Sequence, residues 1–478
     1  MARKHPRNNS TTCNQQLHKK PIVAKANLRV LRSLLVEQIL LLAATLLLLT
    51  NAYSQKQPNI IFILTDDMGY GDISCFNGTY KTPNIDRMAS EGKMFTKYYS
   101  ASPICSPSRV GLLTGMAPAK WKITSFLQKK ADNKLCEQVD FLNPAAPTTA
   151  RILKAKGYAT GHFGKWHMGG GRDVDDAPSI KEYGFDEWSS TWESPDPDPV
   201  LTATDWIWSD KDSIKRWSRT AYFVDKTLSF LQKHRGRPCF INLWPDDMHT
   251  PWVPGDGEMR RFAGKPEDEK SFIDVLYEYD RQIGRLMRGI KDLGLDENTL
   301  VVFTSDNGPL PNFRNERSAG MRGTKLSLYD GGIRMPFIVR WPGHVTAGTT
   351  DSSSIVHASD MLPTFCKLGG AILPKNYVPD GEDKTAVMLG KPAVRKKPIY
   401  WEYGRNDISF KYPPDKYDKS PSLAIREGKW KLLMQHDGSG VELYNMTKDE
   451  NEKSNLAAKE PSVTKELTQK LLTWWKSM

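Results

Sequence analysis

One cysteine stands in Pro103-Ile104-Cys105-Ser106-Pro107-Ser108-Arg109, with small residues around it and an arginine four places on. The apolar run Val110-Gly111-Leu112-Leu113 follows and predicts a helix that starts near the cysteine. A thiol at that end meets free N–H groups and the positive end of the helix dipole, which favour negative charge. The segment therefore reads as a reactive cysteine or an anion pocket. Asp66, Asp67, Asp306 and Asn307 are hard oxygen donors, suited to Ca2+ or Mg2+ rather than zinc. Alone, Asp-Asp is equally a turn or a helix cap, and Asp-Asn-Gly a common turn. In Gly164-Lys165-Trp166-His167 the lysine and histidine are two apart, so on an extended segment they point the same way. Lysine can neutralise anionic oxygens and histidine can move a proton near neutral pH. A surface lysine and a packed histidine would also explain that tetrapeptide. His249-Thr250-Pro251 and the glycine-flanked Gly323-Thr324-Lys325 complete the set, the glycines implying turns with backbone close to something.

Buried strands are the expected support for these groups. Asn59-Ile60-Ile61-Phe62-Ile63-Leu64 is a continuous apolar run that ends at Thr65-Asp66-Asp67, and Leu300-Val301-Val302-Phe303 ends at Thr304-Ser305-Asp306-Asn307-Gly308. Runs of this kind suit strands of a parallel sheet covered on both faces. Residues 240–244 and 336–340 are weaker strand candidates, and helices are predicted over 148–156, 221–233, 273–293 and 359–368. The alternation predicts an α/β fold with a large, mostly parallel sheet between helices. Ligands of open parallel sheets gather at the carboxyl ends of the strands, where both acidic clusters fall. After about residue 370 the pattern changes to short strands at 399–403, 422–426, 430–434 and 441–445, with a hairpin turn at Glu427-Gly428-Lys429 and a final amphipathic helix over 461–475. This predicts a smaller antiparallel α+β unit. Segments 191–212 and 371–396 read as loops, and the expected division is a leader (1–54), a main domain (55–370) and a C-terminal subdomain (371–478).

The chain has 478 residues and a net charge of +12. Residues 1–54 hold eight Lys/Arg and one acid, so +7 of that charge belongs to the leader and only +5 to the rest. No basic stripe interleaved with aromatics is present, and nucleic acid is not an expected partner. The leader is a basic region followed by an apolar run over 39–49, too short for a stable membrane span, and Ala52-Tyr53-Ser54 fits cleavage before Gln55. The folded part is expected outside the cytoplasm, periplasmic or secreted; an uncleaved anchor is the alternative. Cys13 lies in the leader, and the five remaining cysteines are an odd number, so at least one is unpaired. No Cys-x-x-Cys spacing points to structural zinc.

The string from Pro103 to Gly115 resembles the signature of the type I sulfatases, of the alkaline phosphatase superfamily. Gly164-Lys165-Trp166-His167, His249-Thr250-Pro251, Gly323-Thr324-Lys325, Asp330-Gly331-Gly332-Ile333-Arg334-Met335-Pro336 and Trp341-Pro342-Gly343 resemble further elements of that family in its order, over about residues 57–345. Residues 441–456 resemble its tail motif. The resemblance implies that Cys105 is oxidised to formylglycine by a formylglycine-generating enzyme, and that the hydrated aldehyde attacks sulfur. It implies Ca2+ held by Asp66, Asp67, Asp306, Asn307 and the modified Cys105. Arg109 would then support the modified residue and Lys165 contact its hydroxyl. His167 would assist return of the aldehyde, His249 protonate the leaving oxygen, and Lys325 bridge sulfate and ester oxygen. Lys165, His249 and Lys325 are thus the expected substrate-binding residues. Two departures stand out. Met248 occupies a position where the family usually has proline, and Asp330 one where relatives often have glutamate, a change expected to be structural.

The implied activity is hydrolysis of sulfate esters. Tryptophans 188, 192, 206, 208, 217, 244 and 252 offer sugar-stacking surfaces, as a large core also would, so a sulfated carbohydrate is the expected substrate. Two other readings stay open: a phosphatase or phosphonate hydrolase of the same superfamily, and an unmodified, non-catalytic binder of sulfated glycans.

Overall fold

A single strand register does most to build the candidate site. Strand β1 (Asn59–Thr65) runs parallel to a strand over Thr299–Ser305, paired without a slip from Asn59 opposite Thr299 to Thr65 opposite Ser305. The chains leave the sheet side by side, which sets Asp66 beside Asp306 and Asp67 beside Asn307. The computed structural model describes residues 34–40, 57–204, 206–255, 268–404 and 416–478. Residues 34–40 are helical; the rest of the leader, including the apolar run beyond residue 40 and the cleavage position before Gln55, lies outside the described residues. No helix among the described residues is long and apolar enough to cross a membrane.

The other described strands of the main sheet are β2 (Lys93–Tyr99), β3 (Ala159–Gly164), β4 (Glu187–Ser190), β5 (Cys239–Trp244), β6 (Thr299–Ser305), β7 (Arg334–Arg340), β8 (Thr349–Asp351) and β9 (Val356–His357). Their order is β4-β3-β5-β1-β6-β7-β2-β8, with β9 also paired to β2. From β4 to β6 every pairing is parallel; β7 runs antiparallel to both β6 and β2. Helices cover both faces, which explains the unbroken apolar run of β1. Ile60, Phe62 and Leu64 pack in one core layer, with the helices over Cys105–Thr114, Thr149–Ala155 and Met361–Leu368. Ile61 and Ile63 point to the other, with the helices over Pro83–Ser90, Arg219–Lys233 and Glu269–Asp292. A strand with two buried faces has no polar side to alternate with.

The C-terminal strands form a separate antiparallel sheet: β10 (Ile399–Glu402), β11 (Leu423–Glu427), β12 (Trp430–Met434) and β13 (Glu442–Asn445). Gly428 turns the β11–β12 hairpin with φ of 56°, a left-handed conformation that favours glycine. Leu423, Ile425, Leu432 and Leu443 pack under Leu467 and Leu471 of the terminal helix (Pro461–Lys476). Ala424, Leu433, Tyr444 and Trp401 pack instead with Tyr99, Ile104 and Cys105. The small sheet thus backs the segment that carries the cysteine. Asp330 helps fix the join: it is fully buried, and Lys431 of β12 places its Nζ 2.8 Å from Asp330 and 2.7 Å from Glu452.

Candidate active site

Cys105 is the first residue of its helix, as the sequence predicts, but every residue of that helix is buried. The helix ends at Gly115, whose φ of 66° lets its N–H reach the carbonyl of Gly111. Two contacts pin its first turn: Leu127 N–H donates to Ser106 Oγ at 3.0 Å, and Ser108 Oγ donates to the carbonyl of Asp306. Arg109, with no exposed surface, ties three strand ends together. Its guanidinium donates to the Lys165 carbonyl at 2.9 Å and to Asp306 Oδ2 at 2.7 Å, and lies 3.3 Å from Asp66 Oδ1. The face of Trp244 packs 5.4 Å away. Burial pushes the Cys105 thiol up to about 11, against the nearby charges of Lys165 and Lys325.

All ten residues singled out in the sequence converge here. Carboxylate oxygens of Asp66, Asp67 and Asp306 lie within 4.8 Å of one another. Asn307 Nδ2 donates to Asp67 Oδ1 at 2.7 Å, and Asp67 N–H donates to Asp306 Oδ1 at 3.2 Å. Lys165 Nζ sits 2.9 Å from Asp66 Oδ2 and Lys325 Nζ 2.6 Å from Asp67 Oδ2. His249 Nε2 is 3.7 Å from the same Asp67 oxygen. Burial alone would raise the Asp66 carboxyl, but Lys165, His249, Arg109 and Lys325 hold it well below the usual range. The Asp306 carboxyl moves the other way, to about 7, because burial and the two neighbouring carboxylates outweigh Arg109 and Lys165. Such a set of crowded, unequal acids is typical of functional sites.

Three carboxylates and an amide oxygen are the donor set of a hard divalent cation. The structure adds a direct test of fit. Asp66 Oδ1 and Asn307 Oδ1 are buried and accept no hydrogen bond, although Arg109 Nη2 lies 3.3 Å from the first. Buried acceptors rarely stay unsatisfied without a reason. The residues therefore fit a bound Ca2+.

One expectation is corrected. Lys165-Trp166-His167 is not an extended strand: β3 ends at Gly164, and His167 has φ of 51°. Gly164, with φ of 127°, lies against Trp244, whose carbonyl a Cβ would meet at 2.0 Å. The two side chains meet through a third residue. Glu193 Oε2 lies 3.1 Å from His167 Nδ1 and 3.8 Å from Lys165 Nζ, while the Glu193 carbonyl accepts from His167 N–H at 2.9 Å. Burial would raise Glu193, but His167, Lys165 and Arg172 bring it down to about 2, while burial pushes His167 down to about 3 against the pull of that carboxylate.

Glu193 sits in the segment that reads only as a loop, and no sequence signal marks it. Arg216 and Arg317 are equally silent there. Arg216 Nη2 donates to the carbonyls of Asp246 and His249 at 2.7 and 2.9 Å, fixing the loop that presents His249. Arg317 donates to the Asp67 carbonyl at 2.8 Å and pairs with Asp72. Met248, in place of proline, is fully buried in the core and leaves His249 on the site. A narrow cleft opens between Asp66, Lys165, His249, Trp192, Glu193 and Ile207. A larger groove near Tyr70, Lys97 and Arg334 is lined by none of the ten residues.

The chain matches the Sulfatase family model over residues 58–371 and the model for the C-terminal part of N-sulphoglucosamine sulphohydrolase over 324–476. It is 29% identical to N-acetylgalactosamine-6-O-sulfatase of Bacteroides thetaiotaomicron, over 88% of this chain and 94% of that protein. It is 30% identical to human arylsulfatase A, over 87% and 86% respectively. The crystal structure of Ps i-CgsB in complex with k-i-k-neocarrahexaose superposes with a TM-score of 0.71 at 26% identity, covering 88% of this chain and 93% of that one. The fold is that of the alkaline phosphatase-like enzymes, and the chain belongs to the type I sulfatases, hydrolases of sulfuric esters.

Proposed function

We propose that this sulfatase removes sulfate from carbohydrate esters, with a formylglycine made from Cys105 and a Ca2+ held by Asp66, Asp67, Asp306, Asn307 and the modified side chain. The observation that carries this reading is the register of β1 and β6, which sets four hard donors side by side next to Cys105, Lys165 and Lys325. A formylglycine at position 105 would supply a nucleophilic hydroxyl, and a cation held by these donors would withdraw charge from sulfate oxygens. Arg109 holds the Asp66 and Asp306 carboxylates in place and supports the side chain at position 105. Lys165 and Lys325 keep their protons, because neighbouring carboxylates outweigh the cost of burial, and they meet the charge that develops on the sulfuryl oxygens. His249 gives its proton to the leaving oxygen from Nε2, since Nδ1 is 2.6 Å from the carbonyl of Thr250 and held by it. Burial and Lys165 push that ring down, while Asp67 and an anionic substrate favour its protonated form. His167 moves the proton of the second half-reaction, held by Glu193.

A carbohydrate substrate is supported by the names of the relatives and by the neighbour solved with an oligosaccharide. The leader supports export to the periplasm or exterior, with maturation by a formylglycine-generating enzyme on the way. Residues 55–370 then form the catalytic part and 371–478 the subdomain that backs the cysteine segment. The test is release of inorganic sulfate from N-acetylgalactosamine 6-sulfate and p-nitrophenyl sulfate, with p-nitrophenyl phosphate alongside. Sulfate release is expected to stop on chelation with EDTA and to return with added Ca2+. The cation should also raise Tm with its concentration, because it binds only the folded carboxylate cluster. Faster turnover of the phosphate ester, or sulfate release indifferent to chelation, would overturn the reading.

A further inference from the structure

The tryptophans that the sequence offers as sugar surfaces differ in exposure, with Trp188, Trp208 and Trp217 half-buried. Trp244 and Trp252 are no more than 1% exposed and Trp192 is 5% exposed, whereas Trp206 is 56% exposed. Among the described residues the only other exposed aromatic ring is Tyr417, and it is covered on one face by the Arg322 guanidinium. Trp206 precedes Ile207, which lines the cleft with Asp66, Lys165 and His249, and its ring centroid lies 5.9 Å from that of Trp192. Trp192, itself in the cleft wall, is gripped by the Arg172 guanidinium at 4.9 Å, and Arg172 is tied to Glu193 at 2.9 Å. The exposed ring is therefore braced by Trp192, which connects through Arg172 and Glu193 to His167 and Lys165. A second observation points to a ligand in the same cleft. Asp246 is 3% exposed and holds Arg216 and Arg219 with Oδ2, yet its Oδ1 is buried with no hydrogen-bond partner.

We infer that Trp206 is the platform of a sugar subsite beside the sulfate pocket, taking the C–H face of a pyranose ring, while Asp246 Oδ1 accepts a hydroxyl of the sulfated sugar. This rests on the carbohydrate reading above and adds to it the residue that selects sugars. An aromatic face suits a pyranose because it buries apolar C–H groups while the ring hydroxyls stay in water or reach acceptors. The sulfate itself is held by Lys165, Lys325 and His249, so sulfate binding and sugar binding are separable.

Calorimetry on the Cys105→Ala chain in Ca2+ buffer tests this, with N-acetylgalactosamine 6-sulfate and inorganic sulfate as the two probes. Adding Trp206→Ala is expected to weaken the sugar sulfate about tenfold, as removal of a central tryptophan contact does. Inorganic sulfate should bind as before, and Trp206→Phe should recover most of the loss. Unchanged affinity for the sugar sulfate in Trp206→Ala overturns the inference, as does equal weakening of inorganic sulfate. A parent chain that binds inorganic sulfate but not the sugar sulfate overturns the carbohydrate reading and the inference with it.

Discussion

Cys105→Ala is expected to lower kcat on any sulfate ester by at least about 10^4-fold, the scale of losing a nucleophile. The loss will not come from unfolding. Cys105 is 3% exposed, and trimming one sulfur from its core cluster should cost about 1 kcal/mol. A thermal melt of the variant checks this. The unmodified thiol is a poor substitute for the modified group in this setting. Burial pushes its pKa up to about 11, which leaves about one molecule in 10^4 as thiolate at neutral pH. A cysteine protease-like pocket would do the reverse, lowering the thiol with an adjacent cation or histidine. Here Lys165 and Lys325 do pull the thiol down, but burial, with the Asp66 and Asp306 carboxylates, outweighs them. The five described cysteines are all free, so nothing in the fold withholds Cys105 from oxidation by a disulfide.

The second large effect is expected at the lysines. Lys165→Ala and Lys325→Ala should each reduce kcat by about 10^2- to 10^3-fold, or about 3 kcal/mol, by analogy with loss of one preorganised oxyanion donor. Both ammonium groups are almost wholly buried and held by a carboxylate, so each acts in a dry setting without reorganising. Because the charge they meet grows in the transition state, kcat should fall more than KM rises. Arginine should rescue neither, since a planar guanidinium cannot replace a compact ammonium wedged between a carboxylate and the substrate. Steady-state kinetics on p-nitrophenyl sulfate separates the outcomes: a change confined to KM would make these residues simple binding groups.

The candidate site was legible where polar residues follow a strand. Asp66-Asp67 and Asp306-Asn307 each end an unbroken apolar run, and two such runs in one parallel sheet have few registers open to them. His249, just past β5, obeyed the same logic. The sequence was silent where position depends on another part of the chain. Glu193 reaches His167 from a loop rich in proline and aspartate, and nothing in that loop's composition distinguishes it from Asp196 or Asp198. The left-handed turn at His167 carries its N–H to the Glu193 carbonyl, a partner that lies outside the tetrapeptide. Strands β2, β4, β8 and β9 lack a strong apolar period; their residues are partly exposed or their runs are only two to four long, so local pattern cannot raise them above loop. The antiparallel direction of β7 was hidden as well, since a buried apolar strand reads the same both ways.

The central claim is that an oxidised side chain at position 105 performs the cleavage. Preparations with different extents of maturation can be compared by mass spectrometry of the peptide carrying residue 105, in which the aldehyde is lighter than the thiol. Inorganic sulfate released per chain is expected to rise in proportion to the aldehyde-bearing fraction and to extrapolate to zero for the pure thiol form. Turnover that persists in a preparation whose Cys105 is entirely unmodified would contradict the account.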